Sequence, residues 1–253
     1  VWQKFKPLVL RLLGLLLLLT MTATAFAQSA LPLVNVTENA TGDTQYSLTL
    51  QLLLLMTALT LLPSLLIMMT SFVRVIIVLS LLRQALGTGQ TPPNQVLVGI
   101  ALFLSIFIMS PVLLDIYDNS ITPYLNSEVS QTVAIEQAVM PVRNFMLNQT
   151  RESDISVFMD LAGNSTELEY QDAPLPVLIP AFMTSELKTA FTMGFLIYIP
   201  FVIIDLVVAS ILMSMGMMMV SPMMISMPFK LMLFVLADGW LIILQTISAS
   251  FNV

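Results

Sequence analysis

An all-α membrane protein, built from two long kinked helical hairpins with a small helical periplasmic insert between them, is the fold class that the sequence predicts. Three observations carry it. Of 253 residues, 57% are hydrophobic and only 9% are charged, whereas a soluble domain needs about 25% charged residues to face water. Four long apolar runs take up nearly half of the chain, and such runs with few charges mark a membrane protein. Between the second and third runs lies a polar block: residues 115–186 hold eleven of the fifteen acidic groups but only two basic ones, Arg143 and Arg151.

Composition also excludes function classes. The chain has no cysteine and no histidine. Thiol nucleophiles, soft-metal ligands and the commonest general base are therefore missing. No G-x-x-x-x-G-K phosphate loop occurs, which argues against an ATPase.

Residues 1–27 read as a cleavable signal peptide. Lys4, Lys6 and Arg11 form a positive n-region, 12–20 (LLGLLLLLT) is a short apolar core, and Ala25-Phe26-Ala27 is a small-residue cleavage site. Cleavage is expected between Ala27 and Gln28, with the mature N-terminus outside the cytoplasm. Residues 28–45 are polar, rich in turn formers, and read as an irregular lead-in.

The first helical hairpin is expected over 46–118. Its first run, Tyr46–Leu82, would reach about 55 Å as one helix, against about 30 Å of hydrocarbon. Pro63 removes a backbone donor inside that run and is expected to break or kink it. Arg74 lies in the second half, where it is expected to snorkel toward the cytoplasmic face with Arg83. The 83–95 stretch is a loop by its glycines and Pro92-Pro93. A second run, Asn94–Tyr117, bends at Ser110-Pro111. The short, Arg83-bearing loop is the cytoplasmic candidate under the positive-inside bias, which puts the acidic block outside.

That block, 119–186, is expected to carry one or two small helices, over 129–150 and 152–163, the latter ended by Gly163. The second hairpin, 187–253, contains runs Leu187–Ser214 and Phe229–Phe251. Between them lies a methionine-rich loop, 213–227, holding eight of the chain's nineteen methionines. Gly216 and Pro222 interrupt any helix there.

Three features could carry function. Methionine is flexible and repacks around varied shapes, so Met215, Met217, Met218, Met219 and Met223, repeated around several subunits, would seal a pore yet part for a polypeptide; alternatively the run is apolar filler at a helix turn. Asp205 lies mid-run in FVIIDLVVA and needs a partner, because an ionised group at mid-bilayer costs about 3 kcal/mol. Lys230 is the nearest basic group on the returning run, but a turn over 215–228 leaves the two out of step, so a contact between subunits is as good a reading. Asp238-Gly239-Trp240 is either a turn of helix or a partner contact. An aspartyl protease using Asp118, Asp205 and Asp238 is disfavoured, since no G-x-G-D run surrounds them.

PAFMTSELKTAFTMGF (180–195), IYIPFVIIDLVVASILMSMGMMMVSP (197–222), MPFKLMLFVLADGW (227–240) and the upstream stretch 70–111 resemble the FliP family of flagellar export-gate proteins and its counterparts in virulence type III secretion. The resemblance covers nearly all of the chain beyond the lead-in, and the intact MMM and P-F-K elements favour the flagellar branch. It implies a homo-oligomeric helical ring, a pentamer, in the bacterial inner membrane within the flagellar basal body. Implied partners are FliQ and FliR in the gate core, FlhB and FlhA around it, membrane lipid, and unfolded flagellar proteins as the exported substrate. No enzyme activity, cofactor or nucleic-acid partner is implied. The family's pore-lining role carries over to Met217, Met218 and Met219, and less directly to Met215 and Met223; its buried charge contact carries over to Asp205 and Lys230. The other readings are a virulence-system gate subunit and a subunit of a small-solute channel or transporter.

Overall fold

The computed structural model describes residues 45–163, 170–217 and 220–251. The expected signal peptide and nearly all of the lead-in lie outside them. Two compact units divide the chain, 1–56 and 57–253; of the first, the described part is helical from Gln45. The described residues form helices and no strands.

In order, these are α1 (Gln45–Met68), α2 (Phe72–Leu86), α3 (Asn94–Ile108), α4 (Ser110–Ile116), a π-helical turn (Tyr117–Ile121), α5 (Thr122–Leu125), α6 (Gln131–Gln149), α7 (Glu152–Leu161), a 3-10 turn (Tyr170–Asp172), α8 (Leu175–Ser214), α9 (Pro222–Leu236) and α10 (Gly239–Ala249). Helix α8 is the hub of the second unit, and α2, α6, α7 and α9 all pack on it, α2 most extensively. Leu79, Leu82, Leu178 and Phe182, fully buried, lie at the centre of the core.

At 40 residues, α8 is about 60 Å long, twice the hydrocarbon thickness. Among the described residues it alone is long and apolar enough to cross a membrane; three bent helix pairs also qualify if each counts as one span, giving up to four. Helix α8 starts well before the apolar run at Leu187. Pro174 and Pro176 fix its first turn, where a missing N–H costs nothing, and Val177, Leu178, Ala181 and Phe182 face the core.

Where the chain bends differs from the expectation based on proline alone. Helix α1 runs unbroken through Pro63, and α8 through Pro200. The first run instead turns by 71° at 69–71. Local hydroxyl chemistry accounts for the position: Thr70 donates to the Ile67 carbonyl at 2.6 Å and accepts from the Phe72 N–H at 3.3 Å, so its side chain competes with the helical backbone. Buried Ser71 donates to Ser105 of α3 at 3.0 Å, which fixes the corner. The second run bends by 56° at Met109, beside Pro111, and the last bends by 66° at 237–238, where Asp238 is left-handed at φ 49°. Asp238-Gly239 is therefore a corner within the chain.

The acidic block carries the two helices expected of it, α6 and α7. Both pack on α8, where Phe145 of α6 meets Phe182. In contrast, every side chain from 57 to 68 on α1 is exposed, including Leu59, Leu62, Leu65 and Leu66.

Candidate functional site

The methionine-rich turn is shorter than the sequence suggests, 215–221 rather than 215–228. Helix α8 closes in a Schellman motif: the Met217 N–H reaches the Leu212 carbonyl at 3.0 Å and the Gly216 N–H reaches that of Met213 at 3.0 Å. Gly216 takes the left-handed position at φ 76°, which costs glycine nothing. Helix α9 then begins at Pro222, a residue preorganised for a first helical position. Pro228 sits inside α9 instead of ahead of it. Met215, Met217 and Met223 are all exposed, at 67%, 43% and 61%. These thioethers are thus not filler for this chain's own core. Met218 and Met219, like Ala27 and Gln28, lie outside the described residues.

The earlier start of α9 brings Asp205 and Lys230 into step. Both stand about two and a half turns from the loop, one on each helix. The Lys230 ammonium donates to Asp205 Oδ2 at 2.7 Å, and Ser226, one turn back on α9, donates to Oδ1 at 2.5 Å. The contact is made within one chain. It is lopsided in exposure: the lysine side chain is 4% exposed and the aspartate 32%. Lys230 also donates to the Ala85 carbonyl at 3.1 Å. Both carboxylate oxygens of Asp205 are thus engaged, while Asp118 and Asp238 are exposed. Among the described residues no cluster of three or more acidic side chains could hold a metal ion.

A second charged centre went unread in the sequence. Arg74 does not snorkel: it is 2% exposed and pairs with fully buried Glu186 of α8. Its Nε donates to Glu186 Oε2 at 2.8 Å, and its Nη2 to Oε1. Nη1 donates to the Ser250 carbonyl at 3.0 Å and hydroxyl at 2.9 Å, and Nη2 also reaches Gln149 Oε1 at 3.3 Å. The guanidinium lies 3.8 Å from the ring centroid of Phe251, which stacks on Phe145. One planar fork therefore joins α2, α6, α8 and the residues after α10, a use suited to arginine and not to lysine. The signal was present: an arginine inside an apolar run demands a buried partner. Yet Glu186 lies 112 positions away, and sequence offered no means of choosing it among the acidic groups.

Chemically, the site offers a soft apolar turn between two helix ends, with the Asp205–Lys230 pair between the helices that carry it.

The FliP family profile matches residues 55–247 of this chain. The flagellar biosynthetic protein FliP of Pectobacterium carotovorum subsp. carotovorum is 57% identical over 211 residues, spanning 83% of this chain and 81% of that protein. That of Cereibacter sphaeroides is 54% identical over 220 residues, spanning 87% and 73%, and that of Bacillus subtilis 50% identical over 205 residues, spanning 81% and 93%. With the profile across most of the chain and relatives at this identity over most of their length, the chain belongs to the FliP family.

Proposed function

We propose that this protein is a subunit of the flagellar type III export gate, needed for flagellum assembly, and that its methionine turn seals the closed pore. The relatives carry the name flagellar biosynthetic protein, which favours this branch over a virulence system or a solute transporter. The observation that carries the sealing role is the exposure of Met215, Met217 and Met223 on a turn that follows the Schellman close of α8 and leads into Pro222 at the start of α9. Exposed apolar side chains on a fixed support are suited to meeting their own kind from neighbouring copies, here five around one axis. The bare faces of α1 and of the second half of α8 supply surface for such neighbours, for FliQ and FliR, and for lipid. FlhB, FlhA and the unfolded flagellar substrates complete the assembly in the bacterial inner membrane. Residues 1–27 are removed on export, 46–118 and 187–253 act as the two hairpins, and 119–186 lies on the periplasmic side. Soft thioethers exclude water and ions when pressed together and yield to a polypeptide.

The test replaces Met217, Met218 and Met219 together with glycine in cells that build the gate. Complexes should still assemble on native gels, while ion conductance of the membrane rises on induction. Unchanged conductance with normal assembly would sink the sealing role.

A further inference from the structure

We infer that Lys230 is a positioning residue that ties the methionine turn to the C-terminal end of α2, so that the 87–93 loop and the turn move as one piece. The inference rests on the reading of that turn as the seal.

Three observations lead to it. First, the Lys230 ammonium is buried and divides its bonds between two helices: Asp205 Oδ2 on α8 at 2.7 Å and the Ala85 carbonyl on α2 at 3.1 Å. Ala85 is one residue from the end of α2, where carbonyls have no partner in their own helix. A cation there also meets the negative end of the helix dipole. Lys230 thus caps α2 from a different helix. Second, α2 passes directly into the loop through Gly87, which is left-handed at φ 73°. A side-chain carbon placed at Gly87 would touch Met223, at 4.0 Å. The loop therefore starts against the first turn of α9. Third, the far end of the loop is tied back to α2: Arg83 donates to the Pro92 carbonyl at 3.2 Å and to Asn94 Oδ1 at 2.6 Å. With both loop ends held to α2, and α2 held to α9 through Lys230, a displacement of the exposed Gly89-Gln90-Thr91 tip is passed to the turn.

The alternative is that Lys230 merely neutralises Asp205. The two differ in what happens when only the aspartate charge is removed. Asp205→Asn keeps the lysine on the Ala85 carbonyl, whereas Lys230→Met loses both links. The chain has no cysteine, so spin labels at Gln90→Cys and Met217→Cys report on the loop tip and the turn without background. Electron–electron distance measurements on full-length protein in lipid nanodiscs, diluted with unlabelled chain, read the spread between them. Lys230→Met should at least double the width of the distribution, Asp205→Asn should leave it near that of the parent, and Lys230→Arg should restore it. If Lys230→Met fails to accumulate, Lys230→Gln, a neutral donor too short for both acceptors, takes its place with the same broadening expected. A parent-like width in the lysine variant, or equal broadening in Asp205→Asn, would overturn the inference. Neither result depends on conductance, so a failed seal and a failed tether are told apart.

Discussion

Arg74→Met is the most informative single perturbation of the fold. It removes the guanidinium but keeps most of the apolar stem. What remains is Glu186, 0% exposed, without its cation, together with a Ser250 carbonyl and hydroxyl and a Gln149 oxygen that lose a donor. Breaking one partner out of a buried pair costs about 3–5 kcal/mol. At about 2–4 °C per kcal/mol for a chain of this size, the midpoint of unfolding should fall by about 6–20 °C. The double variant Arg74→Met, Glu186→Leu removes both charges and should recover most of the loss, because an apolar replacement of a buried pair is often neutral. Recovery should stop short of complete, by about 1 kcal/mol, since the Ser250 link has no substitute. Thermal unfolding of the detergent-purified protein, followed by loss of the monodisperse peak, measures all three. A single variant that unfolds with the parent would refute the clamp, and a double variant no better than the single would show that packing, not charge, dominates.

Two further outcomes follow from close contacts and backbone geometry. A Cβ at Gly194 would lie 2.1 Å from Leu81 Cδ1 and 3.1 Å from Leu81 Cβ, so Gly194→Ala should cost about 1–3 kcal/mol by over-packing α2 against α8; adding Leu81→Ala should relieve the clash in the same unfolding assay. Asp238 is left-handed at φ 49°, a conformation that β-branched residues resist, so Asp238→Val should lose about 1–2 kcal/mol while Asp238→Asn unfolds with the parent.

The class of the fold was legible because it depends on local composition. Apolar runs with few charges can only be helices in lipid, since open strands leave backbone groups unpaired. The bend at Pro111 and the left-handed glycines at 163 and 216 follow from equally local rules. Bends set by tertiary contact were not legible. Pro63 drew attention but lies in an unbroken helix, while the largest corner, at 69–71, combines the local bonds of Thr70 with Ser71 meeting Ser105 across the fold. Asp205 and Lys230 stood out because a charge in an apolar run needs company; their contact within one chain depended on where α9 begins, and a turn over 215–228 put that start later than Pro222. Arg74 stood out too, but its partner did not, for Glu186 precedes an apolar run and looks like an ordinary boundary charge.

Helix α2 is fastened to α8 near its start by Arg74, presses on it at Leu81 and Gly194, and is capped at its end by Lys230. Helix α2, held to α8 at its start and middle and reached at its end by Lys230 of α9, forms a stiff plate with them, and a plate does not flex gradually. Whatever widening a passing chain demands must be taken up along crease lines elsewhere: at the corner before α2, at Met109 and at Asp238. Those three creases, and not the charged contacts, are where the protein has room to breathe.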